Sequence, residues 1–168
     1  MNREMLMLVE AIAREKSVDH DLVFAAVESA LAQATKKLLQ ADKVNPVQDA
    51  DIRVAIDRQT GEYESFRRWL VVPNEAGLQN PDAEEMLMDA QDRLADVQVG
   101  DFIEESIESV PIGRIGAMAA KQVILQKIRD AERDMLLNDF LSRGEKIFVG
   151  TVKRMDKGDI IVESGRIE

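Results

Sequence analysis

Residues 52–72 read IRVAIDRQTGEYESFRRWLVV. Aliphatic residues alternate with polar or small ones over 52–57, which is the two-residue period of a β-strand. The segment 58–61 is typical of a turn, because its glycine adopts a positive φ without steric cost. Tyr63–Val72 returns as a second strand, and Pro73 ends it. This stretch predicts an antiparallel hairpin, and the rest of the fold is interpreted around it.

Two helices are predicted before the hairpin. The first runs from Asn2, a favoured N-cap, to about Lys16, because apolar residues recur there at three- and four-residue spacing. The second is longer and rich in alanine, and either Ser17 or Asp19 can cap it. Residues 42–50 are predicted to form a loop before the first strand.

A more ambiguous segment follows the hairpin. Residues 86–88 could start a helix that continues through Leu94 or could form a short strand, and we favour a short strand that leads into a short helix. After a turn at residues 99–101, Phe102–Ile107 is predicted to add another strand to the hairpin.

One long helix is predicted from residue 113 to about residue 141, because this part contains no proline and is rich in helix-forming residues. Gly144 is a suitable terminator. The candidates for burial along this helix are Ile115, Ala119, Val123, Ile128, Met135 and Phe140. Two short strands, 147–152 and 160–163, are predicted around a turn at residues 155–158. The fold class is therefore α+β: a small, mostly antiparallel sheet with packed helices and one long C-terminal helix.

Composition excludes several classes of site. The 168 residues include no cysteine and one histidine, His20, so a disulfide scaffold, a thiolate metal site and a zinc site with several histidines are all excluded. Glu104 and Glu105 would point to opposite faces of a strand, which argues against a shared metal or acid–base site. The sequence therefore predicts no enzyme, no catalytic residue, no metal site and no cofactor. No signal peptide or membrane span is apparent, so a cytoplasmic protein without membrane contact is expected.

The net charge of −10 is concentrated in one segment. Residues 80–110 contain ten acidic residues and one arginine, so −9 of the charge lies there. The rest is nearly neutral, which leaves room for a basic surface elsewhere. On a continuous long helix, Arg114, Lys121 and Arg129 would fall within about 80° of one another and form a basic stripe suited to phosphates. Ordinary solvated helix surface is the alternative, since acidic residues lie close by.

Four ordered blocks resemble the N-terminal domain of the bacterial NusA family of transcription factors, over about residues 1–145. In chain order they are VEAIAREK at 9–16, AVESALA and ATKK at 26–37, IDRQTG and FRRWLVV at 56–72, and IGRI, AKQVI, QKIR and AER at 112–133. The resemblance implies two domains: a polymerase-binding domain over 1–143 and, over 144–168, the first strands of a truncated OB-type RNA-binding barrel.

The resemblance also implies a function. The expected activity is that of an elongation factor that binds RNA polymerase at the flap tip of the β subunit near the RNA exit channel, and modulates pausing, termination and antitermination. The implied partners are RNA polymerase, the nascent RNA or its pause hairpin and, through the full-length protein, other antitermination factors.

Site residues follow by position within the matching blocks. The predicted RNA-facing residues are Lys36, Lys37, Arg67, Arg68, Arg114, Lys121 and Arg129. The predicted polymerase-binding residues are Ser29, Thr60 and Phe66. The chain departs from the family pattern at Leu38, where a third lysine often occurs, and in the long 42–50 loop.

Two other functions fit parts of the sequence. A structural or oligomerising module would use the acidic segment to bind a basic partner. A magnesium-dependent hydrolase would use the same carboxylates as ligands.

Overall fold

The computed structural model describes residues 1–115, 117–144, 147 and 149–163. The helices are α1 (Arg3–Lys16), α2 (His20–Gln40), α3 (Leu87–Arg93) and α4 (Ala117–Ser142). The strands are β1 (Asp51–Ile56), β2 (Tyr63–Val72), β3 (Glu84–Met86), β4 (Phe102–Ile107), β5 (Thr151–Asp156) and β6 (Asp159–Glu163). The α+β class predicted from the sequence is confirmed. None of the described helices is long and apolar enough to cross a membrane.

The first two helices begin at the predicted caps. The Asn2 side chain accepts a hydrogen bond from the Met5 backbone N–H at 3.1 Å, and Asp19 accepts one from the Asp21 N–H at 2.9 Å. Each side chain satisfies a backbone donor that has no partner within its helix. The buried core side chains of α1 recur at helical spacing, which confirms the predicted apolar stripe.

β2 is the central strand of a four-stranded sheet and pairs with each of the other three strands. β1 and β4 are antiparallel to it, and β3 runs parallel to its C-terminal end. The predicted hairpin is β1–β2, with Ile56 opposite Tyr63. The predicted short strand that leads into a short helix is also present. The strand lies two residues earlier than expected: β3 ends at Met86, and α3 starts at Leu87.

The two faces of this sheet differ because side chains alternate along each strand. Val54 and Ile56 of β1 are buried, and α2 packs on that strand. Arg53, between Ile52 and Val54, lies on the other face, where it is opposite Phe66 in the strand register. The second face carries charged and aromatic side chains and is partly open to solvent.

A small apolar cluster fixes α3 to the sheet. Ala90 of α3 and Val97, which follows that helix, pack with Val71 of β2 and Ile103 of β4, and all four are buried. Trp69 and Leu87 pack against them. The acidic segment is therefore built on an ordered apolar base.

The chain separates into two compact units, Met1–Ile124 and Leu125–Glu168. Among the described residues, the second unit contains most of α4 and an antiparallel hairpin of β5 and β6. The predicted domain boundary after residue 143, and the assignment of the last strands to an OB-type barrel, remain predictions.

The long helix starts later than the sequence suggested. Residues Ile112–Arg114 form a 3₁₀ turn, and Ile115 is extended (φ −81°, ψ 104°), so the helical hydrogen-bond ladder does not pass from this turn into α4. Burial along the helix also differs from prediction: Ile128 is buried as expected, whereas Met135 is 70% exposed. The side chain of Ala119 lies outside the described part of the structure.

The last predicted hairpin is present, and its second strand starts one residue earlier than predicted, but its first strand lies further along the chain than predicted. β5 covers Thr151–Asp156 rather than residues 147–152. The reason is the turn: Lys157 and Gly158 both have positive φ, 48° and 97°, and form a two-residue connection. Such a tight turn lets the strands extend to Asp156 and Asp159, the pair at its base.

Candidate protein and nucleic-acid interfaces

The turn between β1 and β2 is held rigidly against the start of α1. The Asp57 carboxylate accepts hydrogen bonds from the Gln59 and Thr60 N–H groups at 2.8 and 2.9 Å, and these bonds lower the pKa of Asp57. The Asn2 N–H donates to the Thr60 carbonyl at 2.7 Å. Gly61 completes the contact, because a Cβ at that position would lie 2.6 Å from the Asn2 carbonyl oxygen.

Arg58 connects this turn to α2. Its guanidinium forms an ion pair with Glu28, lies 3.8 Å from an Asp21 carboxylate oxygen, and stacks over the Phe24 ring at 4.9 Å. The same group donates to the Ile56 carbonyl at 2.9 Å. The end of the hairpin and the N-terminal half of α2 therefore form one connected structure.

The three predicted polymerase-binding residues do not share one surface. Ser29 is half-buried on α2, and Thr60 is half-buried in the adjoining turn. Thr60 also lines an open groove with Asn2, Tyr63 and other residues. Phe66 instead lies on the face of the sheet opposite to the buried Val54 and Ile56. The Arg53 guanidinium stacks over the Phe66 ring, 4.5 Å from the ring centre.

Arginines on the partly open sheet face are neutralised by carboxylates and stacked on aromatic rings. Arg53 donates to both Glu104 oxygens, at 2.8 and 2.9 Å. Because this pair is hydrogen-bonded, the pKa of Arg53 is raised and the pKa of Glu104 is lowered. Arg68 donates to Asp51 at 2.8 Å and stacks over Phe102 at 4.2 Å.

Arg67 lies on the other side of β2 from Arg68, because adjacent residues of a strand point to opposite faces. The Arg67 guanidinium stacks over Trp69 at 4.6 Å and donates to the Asp82 carbonyl at 3.0 Å. Its Nε is buried without a hydrogen-bond partner. This arginine is held against the protein, whereas Arg68 borders solvent.

The two lysines near the end of α2 differ in their partners. The Lys36 ammonium is 2.5 Å from an Asp49 carboxylate oxygen, and this contact lowers the pKa of Asp49. Lys37 is exposed, and among the described residues its side chain has no ion-pair partner. Lys37 is therefore the more available of the two for a phosphate.

The predicted basic stripe on one continuous helix is not present. Arg114 lies in the 3₁₀ turn before α4, and its side chain lies outside the described part of the structure. Lys121 is on α4, 54% exposed, with its ammonium 4.0 Å from a Glu15 carboxylate oxygen. Arg129 is exposed on the same helix. Arg114 does not share a continuous helix with Lys121 and Arg129, because Ile115 is extended and α4 starts after it.

The histidine and the two glutamates considered above for metal or acid–base sites each pair with a neighbouring side chain. The His20 ring nitrogen lies 2.6 Å from a Glu10 carboxylate oxygen near the start of α2, and the His20 side chain is exposed. Glu104 pairs with Arg53, whereas Glu105 pairs with Arg93 at 3.3 Å on the other face. Within the described ranges, no three acidic or histidine side chains group closely enough to hold a metal ion.

Sequence reasoning missed Arg53, Arg58 and Arg93, which form several of the contacts between elements. The alternating pattern of β1 places Arg53 on the face away from the core, and this was the one sequence signal of its role. Its partner Glu104 is 51 residues away and depends on the pairing of β4 with β2. That register is not encoded in the local pattern.

Comparisons with known proteins indicate one family. A family model described as the NusA N-terminal domain matches residues 4–134. The transcription termination/antitermination protein NusA of Bacillus subtilis is 33% identical over 168 residues, covering 100% of this chain and 43% of that protein. The protein of the same name from Rickettsia conorii is 34% identical over 168 residues, covering 99% of this chain and 31% of that protein. The chain thus spans less than half the length of these relatives.

A solved structure supports the same assignment. The solution structure of the N-terminal domain of NusA from B. subtilis has a TM-score of 0.50 and 31% sequence identity. The match covers 79% of this chain and 99% of that one. Since the family model also covers well over half of the sequence, the chain belongs to the NusA N-terminal domain family of transcription termination/antitermination factors.

Proposed function

We propose that this chain is a transcription elongation factor domain that binds RNA polymerase at the β-subunit flap tip, near the RNA exit channel. There it modulates pausing, termination and antitermination through contacts with the polymerase and the nascent RNA, without catalysing a reaction. The observation that carries this proposal is the NusA N-terminal domain match over residues 4–134, together with relatives named as transcription termination/antitermination proteins.

The rigid connection between α2 and the hairpin supports the polymerase contact. Binding a partner helix requires a scaffold that does not lose much conformational entropy on docking. Arg58 joins the two elements that carry Ser29 and Thr60, and Gly61 packs against Asn2. We assign the main contact to this side of the unit, with Phe66 as a separate contact on the other sheet face.

Exposed cations support the RNA contact. Lys37 has no described ion-pair partner, and Lys121 has only a long contact with Glu15, in which both side chains are 54% exposed. Exposed pairs at this distance contribute little energy, so both ammonium groups are available to phosphates. Contacts of this kind offset the repulsion between RNA strands as a hairpin folds and do not depend on base sequence.

A titration of this ¹⁵N-labelled chain with an isolated β flap-tip segment tests the docking face. We expect weak binding, with NMR shift changes concentrated on α2 and the β1–β2 turn, including Ser29 and Thr60. A scrambled peptide of the same composition is the control. Absence of shift changes, or changes equal to those with the scrambled peptide, would contradict the proposed polymerase contact.

A further inference from the structure

The segment between β4 and α4 is fixed to the sheet by hydroxyl groups of β2. The Tyr63 hydroxyl donates to the Val110 carbonyl at 2.8 Å, and the Val110 side chain is buried. Ser65 is buried, and its hydroxyl is hydrogen-bonded to the Ser109 hydroxyl at 3.0 Å. The chain that leaves β4 is therefore held at two successive residues by the central strand of the sheet.

The Tyr63 hydroxyl also contacts the start of the 3₁₀ turn that follows. Burial raises the pKa of Tyr63, and a hydrogen bond from the Ile112 backbone acts in the opposite direction. The same oxygen therefore contacts the backbone on both sides of Pro111. The proline ring fixes its own φ, here −60°, so little freedom is left between the two contacts.

These contacts determine where the backbone of Arg114 lies. The 3₁₀ turn is closed by a hydrogen bond of 3.1 Å from the Ile115 N–H to the Ile112 carbonyl. Arg114 lies inside that turn, two residues after the Ile112 contact with Tyr63. A cation on a backbone that is already fixed loses less conformational entropy when it binds a phosphate.

We propose that Tyr63 is a positioning residue for the RNA contact, because its hydroxyl holds the 3₁₀ turn that carries Arg114. The inference rests on the proposed function, since it takes Arg114 as a contact to a phosphate. Lys121 lies on α4, beyond the extended Ile115, and its ammonium is 4.0 Å from a Glu15 oxygen of α1. Loss of the Tyr63 hydroxyl therefore acts on Arg114 and spares Lys121.

The variant Tyr63→Phe tests the proposal, because it removes the hydroxyl and keeps the ring. An in vitro transcription assay at a hairpin-dependent pause site measures pause lifetime against the concentration of the chain. We expect the maximal stimulation to fall by about two- to fivefold, as for the loss of one hydrogen bond. The concentration that gives half of the maximal stimulation reports polymerase binding and is expected to stay the same. Partial unfolding would instead raise that concentration.

Two further measurements show whether Tyr63 acts through Arg114. Exchange of the Ile115 amide hydrogen, followed by NMR, reports opening of the turn directly and is expected to be faster in Tyr63→Phe. In a Lys121→Ala background, Tyr63→Phe is expected to lower the remaining stimulation further. In an Arg114→Ala background it is expected to have no further effect, because the residue through which it acts is already absent.

Thr35→Val is the matched control. The buried Thr35 hydroxyl donates to the Leu31 carbonyl of α2 at 2.8 Å, so this variant also removes one hydroxyl hydrogen bond, outside the segment that precedes α4. It is expected to stimulate pausing like the parent chain. Circular dichroism and the melting temperature show that each variant is folded.

The outcomes separate this inference from the proposed function. The inference is overturned if Tyr63→Phe keeps full stimulation while Arg114→Ala loses it, or if the two hydroxyl variants reduce stimulation equally. It is also overturned if Tyr63→Phe lowers stimulation by the same factor with and without Arg114. If Arg114→Ala itself keeps full stimulation, the proposed RNA contact at Arg114 is wrong, and the inference is overturned with it.

Discussion

At the scale of single residues, Gly61 couples backbone conformation to a contact between elements. Its φ is +72°, and a Cβ there would lie 2.6 Å from the Asn2 carbonyl oxygen, which is backbone and cannot rotate away. We predict that Gly61→Ala lowers the free energy of unfolding by about 1–3 kcal/mol, through backbone strain and displacement of α1. Urea denaturation measures this change. Gly100→Ala, also at positive φ but with open space around it, is the control and should cost less.

The Arg53–Glu104 pair makes stability depend on pH. The pKa of Glu104 is lowered in the folded chain, mainly by its hydrogen bonds with Arg53, so the stabilisation is present above the unfolded pKa. It disappears as pH falls through the lower, folded value. We predict that Glu104→Gln reduces stability at pH 7 by about 0.5 kcal/mol, as is usual for an exposed pair, and that the two proteins converge in acid.

Melting curves from pH 7 to pH 3 test that prediction. Glu108→Gln serves as the matched control, because Glu108 is exposed and has no ion-pair partner among the described residues. A Glu104→Gln deficit that persisted or grew toward acid pH would show that the variant acts through packing rather than through the charged pair.

Lys36 and Lys37 provide a comparison between adjacent lysines. Lys36 is engaged by Asp49 at 2.5 Å, whereas Lys37 is exposed without a described ion-pair partner. We predict that Lys37→Ala weakens RNA crosslinking to this chain in a paused complex more than Lys36→Ala does. The reason is that the Lys36 ammonium group must break its contact with Asp49 before it can bind a phosphate. An equal or reversed order would mean that the Asp49 contact does not restrict Lys36.

At the scale of elements, local periodicity predicted the first hairpin and the strand that joins it, but it misplaced the first strand of the last hairpin. The β1–β2 hairpin and Phe102–Ile107 were predicted because a two-residue alternation is visible within a few residues. The parallel pairing of β3 with β2 is non-local, and no local signal indicated it. The start of α4 was missed because Ile115, a residue compatible with helix, is held in an extended conformation.

The segment around the start of α4 carries a further prediction. We predict that Arg114→Ala combined with Lys121→Ala leaves the chain folded but removes stimulation of pausing at a hairpin-dependent pause site. Lys121 has only a 4.0 Å contact with Glu15, which contributes little to stability, so folding should be retained. An in vitro transcription assay measures pause lifetime.

A matched double variant controls for loss of charge. Lys127→Ala with Arg133→Ala removes two exposed cations from α4 and is expected to keep pause stimulation. If the Arg114 and Lys121 variant stimulated pausing as well as the parent chain, the assignment of these residues to RNA would be wrong.

At the scale of the whole molecule, the distribution of charge was more informative than its total. A net charge of −10 by itself disfavours binding to nucleic acid, but −9 of it lies in residues 80–110. The structure gives that segment its own apolar base and leaves Lys37 exposed elsewhere. Candidate site residues followed from matching sequence blocks, whereas their ion-pair partners depended on strand register and helix packing. Local pattern therefore identified the types of surface but not which cations are free.

A pull-down on RNA polymerase with and without the β flap tip tests whether this chain binds the polymerase there. The chain is immobilised and incubated with equal amounts of either polymerase. The Gly61→Ala variant is immobilised in parallel to test the contribution of the β1–β2 turn. We predict retention of the intact polymerase, loss of retention when the flap tip is deleted, and weaker retention by the variant. Equal retention of both polymerases, or retention of neither, would show that the chain does not bind at the flap tip.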